Sequence, residues 1–167
     1  MPLLIALAIS IGVLAVVATW LFLGPLAALN MQIWQAFVAW ACHFHSGGKT
    51  AGTRTTIVCM SFGTVVGALS VMLAGQLGAL GALAAPVAVG IGAAAIVLAA
   101  HLPLLSAIPA CVYGFACVAG LILLKGTAPV DAILPTILSV AVGAGFGWLS
   151  EALGGRLAKK AAATAAA

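Results

Sequence analysis

The chain has 167 residues, 65% of them hydrophobic and only 5% charged, with a formal net charge of +4. A soluble domain carries about 45–50% apolar and about 25% charged residues, so two acids and six bases cannot clothe a water-facing surface. Soluble enzymes and nucleic-acid-binding modules are excluded, and a single-domain integral membrane protein is expected.

A membrane-crossing helix takes about 20 apolar residues, and six such segments follow in chain order. The first is Leu3–Leu23. It lacks the basic leader of a signal peptide and is too long for a usual signal core, so it reads as a retained helix. Gly24-Pro25 breaks the chain before the second segment, Leu26–Phe44, whose start carries Asn30, Gln32 and Gln35. Ser46-Gly47-Gly48-Lys49 is a polar loop before the third, Thr55–Ala74. A turn at Gly75–Gly78 leads to the fourth, Leu80–Ala100, and His101-Leu102-Pro103 to the fifth, Leu104–Leu124. Gly126–Pro129 precedes the sixth, Val130–Ser150. The fold expected is all-α, a six-helix transmembrane domain over residues 1–155 with halves near 1–75 and 76–155. A basic, then alanine-rich, cytoplasmic tail follows at 156–167, frayed over Ala161–Ala167.

Basic residues set orientation. With the N-terminus inside the cell, Lys49, Arg54, Arg156, Lys159 and Lys160 are cytoplasmic and only Lys125 is outside. Both termini are therefore expected in the cytoplasm, with Trp20 and Trp34 near the outer interface and Trp148 near the inner one. The basic tail suits anionic lipid headgroups rather than nucleic acid.

The third and sixth segments align at an offset of 76, matching Ile57 with Ile133, Val66 with Val142, Gly67 with Gly143 and Ala68 with Ala144. The second and fifth align at 71, matching Ala36 with Ala107, Ala39 with Ala110 and Phe44 with Phe115. A three-helix unit present twice has an odd number of spans, which inverts the second copy, a plan that recurs in transporters. An ordinary six-helix bundle is the other reading. Gly63, Gly67, Gly143 and Gly147 form small-xxx-small patterns suited to close helix packing, within the chain or between copies, and a homo-oligomer is expected.

Chemistry is sparse. Asp131 and Glu151 lie at opposite ends of the sixth segment, so no titratable relay crosses the midplane. Cys42-His43-x-His45 has the residue types of a metal site, but positions two apart face different ways on a helix. His45 and His101 are read as polar groups on the cytoplasmic side, and no metal or cofactor is expected. The four cysteines, Cys42, Cys59, Cys111 and Cys117, all lie in apolar runs and read as small packing residues. Ser46-Gly47-Gly48-Lys49-Thr50 lacks phosphate-loop spacing. No catalytic arrangement is evident, and an enzyme is not expected. Phe37, Trp40 and Phe44 share one helix face, and Phe115 answers from the fifth segment behind Pro109, read as a mid-membrane break in helix hydrogen bonding. Two facing aromatic stripes would form a constriction for small uncharged molecules; side-chain packing is the alternative. Ser61, Thr64 and Ser139 are the remaining polar groups at mid-depth.

The run Phe37 to Phe44 followed by Gly47-Gly48, then Ser106-x-x-Pro109 with Phe115, then Leu134-Pro135 and Gly143-x-x-x-Gly147, resembles the bacterial inner-membrane family known as domain of unknown function 1097. The resemblance implies a multi-spanning inner-membrane protein and brings no assigned activity. The leading expectation is a passive channel for a small neutral solute, with Phe37, Trp40, Phe44, Pro109 and Phe115 lining it. The alternative is a non-transporting accessory subunit of a membrane complex.

Overall fold

The computed structural model describes residues 2–165, with side chains to Lys159. Six α-helices, joined by turns and three short 3-10 segments, make up the described residues, which include no strand. The helices are α1 (Leu3–Leu23), α2 (Ile33–His45), α3 (Lys49–Gln76), α4 (Ala84–Ala99), α5 (Ile108–Lys125) and α6 (Pro129–Ala165). Helix is the form such apolar segments must take in lipid, where each peptide group has to find its partner within the segment.

Turn chemistry sets the boundaries. Asn30 closes the 3-10 turn Ala27–Leu29 in a left-handed conformation, and Gly47 and Gly48, both at positive φ, make the tight link from α2 to α3. Gly126, also left-handed, caps α5, and Pro129 opens α6, where its missing N–H costs nothing.

Five helical stretches are long and apolar enough to cross a membrane, α4 only together with the 3-10 segment Gly78–Leu83 that precedes it, so the expected fourth segment begins in 3-10 rather than α-helix. The sixth, α2, has 13 residues, about 20 Å against a hydrocarbon core of about 30 Å. The expected second segment is therefore corrected: Leu26–Gln32 is a turn and an extended stretch, and only its remainder is α-helix. The fifth segment is corrected in the same way. Pro103–Leu105 forms a 3-10 turn, and Pro109 sits in the first turn of α5 rather than in mid-helix. It frees no mid-membrane carbonyl, because a first-turn N–H has no partner to lose. At their polar ends α3 and α6 run past the expected bounds, α3 starting at Lys49 and α6 continuing through the basic tail to Ala165. The expected fraying of Ala161–Ala167 extends beyond the described residues.

Packing centres on α3 and α6, which touch each other. Helix α3 carries α5 and α4, and α6 carries α2 and α1. Helices α2 and α6 run the same way: Gln32 meets Ser139, Ala36 meets Gly143, and His43 meets Gly147 and Glu151. The α3–α5 pair is dense because Gly63 lies against the Cys111 backbone and Gly114 against the Met60 backbone. The outer helices bury single stripes, Ala6, Ser10, Leu14, Ala18 and Phe22 on α1 and Ala84, Ala88, Gly92 and Ile96 on α4. Their other faces are bare and apolar, Leu4 being 79% and Val16 71% exposed. Water would not tolerate such faces and lipid tails do, so the chain is a membrane-embedded helical protein.

Candidate functional site

One end of the bundle is knotted by Glu151. Its Oε2 accepts the Lys49 backbone N–H at 2.6 Å and lies 3.0 Å from Nε2 of His43, which is fully buried. Nδ1 of His43 is 3.1 Å from the Thr53 hydroxyl. Gly147 makes room for the imidazole, since a Cβ there would meet His43 Cγ at 2.8 Å. This carboxylate, past the middle of α6, ties that helix to the end of α2 and the start of α3. His43 is thus a core residue with a carboxylate partner.

His45 turns the other way, with Nδ1 3.0 Å from the Tyr113 hydroxyl, and His101 stands exposed after α4. Neighbouring positions on α2 thus diverge, as the helical angle requires. Among the described residues no three His, Cys, Asp or Glu side chains gather as metal ligands. The four cysteines are buried free thiols.

The same end carries a cavity of about 610 Å³. Leu3, Leu7, Phe44 and Trp148 give it apolar walls, and Lys49, Arg156 and Lys159 a basic rim beside Glu151. A smaller cavity of about 280 Å³ opens between α2, α3 and α5, lined by His45, Ser46, Thr55, Ala107, Pro109 and Ala110.

Between the two ends lies an uncharged polar seam. Gln35, fully buried on α2, donates its Nε2 protons to the Cys117 carbonyl at 2.9 Å and to Thr136 Oγ1 at 3.1 Å. The bond to Cys117 fixes the amide orientation, because a backbone carbonyl only accepts and the amide donates only through its nitrogen. Gln35 Oε1 is left buried with no partner among the described residues, and so is Oγ1 of fully buried Thr56 on α3. Thr64 bonds back to the Met60 carbonyl at 2.9 Å. Ser139 does the same to Pro135 at 2.8 Å while accepting the Gln32 N–H at 3.0 Å, which makes it a cap for α2 supplied by α6. Beyond it, Asn30, Gln32 and Thr127 form a polar cluster at the end opposite Glu151.

The aromatic residues do not form two facing stripes. Trp40 is buried between Phe37 and Phe146, with Nε1 bonded to Ser150 Oγ at 3.0 Å. Phe37 is 40% exposed on the outside of the bundle. Phe44 faces the larger cavity. Phe115 lies on the opposite flank against Gly92 of α4 and Gly67 of α3. Pro109 lines the smaller cavity. Gly63, Gly67, Gly143 and Gly147 are all engaged inside the chain, at α3–α5 and α2–α6.

Sequence reasoning placed Gln35 only at the start of a segment and passed over Thr56 and Thr136. The signal available was Gln35 itself, an amide at the third position of a helix whose buried face is otherwise apolar until His43.

A family model described as "Protein of unknown function (DUF1097)" matches residues 8–155. No curated protein and no solved structure matches the chain. The chain belongs to the DUF1097 family.

Proposed function

We propose that this family member is a passive facilitator for a small neutral solute, with its path along the seam between α2, α3, α5 and α6. The observation that carries the reading is the pair of buried, unpartnered groups, Gln35 Oε1 and Thr56 Oγ1. An unmade hydrogen bond in the interior costs about 1–3 kcal/mol, and a passing molecule that donates N–H or O–H removes that cost at Oε1. Charge is absent from the seam, which favours neutral solutes over ions. Solutes of this class are water, formamide and urea.

The reading includes two inverted halves. Helices α2 and α5 begin at Ile33 and Ile108, 75 positions apart, each after a 3-10 turn. Helices α3 and α6 begin at Lys49 and Pro129, 80 apart. In that register Thr56-Ile57, Gly63, Gly67 and Leu69-Ser70 recur as Thr136-Ile137, Gly143, Gly147 and Leu149-Ser150. Trp40-Ala41-Cys42 recurs as Phe115-Ala116-Cys117. Contacts follow it: Gly63 sits on the Cys111 backbone and Gly143 on the backbone of Ala36. Offsets of 80 and 75 replace the 76 and 71 drawn from sequence alone. Residues 24–48 then provide the sixth crossing, with α2 and its 3-10 lead-in together. The clustering of Lys49, Arg54, Arg156 and Lys159 supports both termini in the cytoplasm of a bacterial inner membrane. A homo-oligomer would have to use the bare faces of α1 and α4, since the glycine patterns are occupied.

Stopped-flow permeability of proteoliposomes tests the reading with water, urea, formamide and glycerol. Flux of the smaller solutes above empty liposomes is expected, falling at least ten-fold in Gln35→Leu. Folded protein with no flux above the control overturns the facilitator and leaves the accessory-subunit role.

A further inference from the structure

The smaller cavity and the opposite end of the bundle are built from equivalent positions. The cavity wall is His45, Ser46, Thr55, Ala107, Pro109 and Ala110. In the 75 and 80 register the counterparts are Gly120, Leu121, Pro135, Gln32, Trp34 and Gln35. At four of the six positions the cavity holds the smaller residue, Ser46 against Leu121, Ala107 against Gln32, Pro109 against Trp34 and Ala110 against Gln35, while His45 stands against Gly120, the glycine on which the Trp34 ring lies. Trp34 replaces Pro109, and its ring lies so close on Gly120 that a Cβ there would come within 2.8 Å of Cη2. Gln35 replaces Ala110 and spans the gap to Cys117 and Thr136. Leu121, in the place of Ser46, is fully buried. One end is a vestibule, and the equivalent space at the Lys125 end is filled by side chains.

We infer that Trp34 is the gate of the path at the Lys125 end: its ring closes a mouth equivalent to the open vestibule and admits solute to Gln35 when it swings off Gly120. The inference rests on the facilitator reading and deepens it by naming the residue that limits solute size. Two contrasts support a moving role. Trp40, on the same helix, is 5% exposed and anchored through Nε1 to Ser150. Trp34 is 37% exposed, and its Nε1 makes no hydrogen bond among the described residues, so rotation about its side-chain torsions breaks none. The ring also rests on a glycine, a surface that offers it van der Waals contact and no interlock. Trp34 directly precedes Gln35, so the gate and the unpartnered amide oxygen share one turn of α2.

The test removes the closure from both sides. Trp34→Ala deletes the ring. Gly120→Ala leaves it in place but sets a methyl where the ring tip lies, and the ring, being the far end of a flexible side chain, must move away. Formamide and glycerol flux is measured in proteoliposomes for wild type and both variants, each shown to elute from size-exclusion chromatography like wild type. Both variants are expected to pass formamide at least three-fold faster and to gain glycerol flux. A folded wild type that is silent overturns the facilitator, and the gate with it, whatever the variants do, because the gate must open in the native protein. A conducting wild type with variants that match it overturns the gate and leaves the facilitator standing. Silence in all three, with folded protein, overturns the facilitator and the gate with it. If one variant fails to fold, the other decides between the same outcomes.

Discussion

Gly63→Ala is the sharpest probe of the packing that holds the seam. A methyl at position 63 would enter the carbonyl of Cys111, and both partners are helix backbone, so no rotamer change relieves the clash. Helices α3 and α5 must then move apart along a dense contact that includes fully buried Met60, Cys59 and Cys111. Overpacking of this kind costs about 1–3 kcal/mol, and a clash confined to backbone belongs at the upper end. Gly145→Ala provides the opposite case, because its Cβ meets nothing within 4 Å. There the change only removes backbone freedom from the unfolded chain and gains about 0.5–1 kcal/mol. The two alanines should differ by about 3–4 kcal/mol, or about 10 °C in melting temperature for a chain of this size. Gly114→Ala and Gly143→Ala, which meet the Met60 and Ala36 carbonyls, should fall with Gly63→Ala. Gly67→Ala should be milder, since the nearest backbone atom, the Phe115 carbonyl oxygen, is 3.0 Å away and only the Val118 methyl at 2.6 Å must shift. The assay is thermal unfolding of detergent-solubilised protein followed by size-exclusion chromatography. Equal melting of Gly63→Ala and Gly145→Ala would refute the backbone-contact argument.

Glu151→Ala strips the partner from buried His43 and from the Lys49 N–H, and a hydrogen bond to a charged group is worth about 1.5–3 kcal/mol. A melting loss of that size is expected, with Glu151→Gln retaining part of it; a neutral Glu151→Ala would count against the knot. Trp40→Phe loses the bond to Ser150 and about 1 kcal/mol, whereas Phe37→Ala, on the exposed side, should change stability by less than that and leave solute flux as it was. Flux lost in Phe37→Ala alone would return the constriction to the aromatic face.

The helix count and the turns were legible because their causes are local. Leu3–Leu23 is a continuous apolar run, and α1 has those bounds. Gly47-Gly48 and Gly126 mark turns through positive φ, which costs a glycine little. What local reading misplaced were helix starts, with α2, α4 and α5 beginning later than expected and α3 earlier. Apolar composition continues from Leu26 into α2, so hydropathy gave no boundary. The boundary comes from Asn30 turning left-handed and from Ser139, over a hundred residues away, capping the helix at Gln32. The proline at 109 was visible, but whether it breaks a helix or begins one depends on where the helix starts.

The candidate site was hidden for a related reason. In a chain this apolar, hydropathy barely distinguishes the faces of a helix, so which residues meet is decided by the glycines at crossings. Gly63 and Gly143 were legible as packing residues, but the backbones they meet, at Cys111 and Ala36, were not, and the proposed register between the halves follows those contacts. A shift of four residues, from 76 to 80, keeps a glycine opposite a glycine while moving every other pair by about one helical turn. Under the smaller offset Thr56 pairs with Ala132 and the hydroxyls look unrelated. In the proposed register Thr56 pairs with Thr136 at the offset of 80, and Gln35 pairs at 75 with Ala110 in the wall of the smaller cavity. In the proposed register the contrasts that carry the gate, Trp34 against Pro109 and Gln35 against Ala110, fall on equivalent positions. That is why the aromatic residues attracted attention first: their size shows in the sequence, whereas the absence of a partner on Gln35 Oε1 is a property of three helices at once.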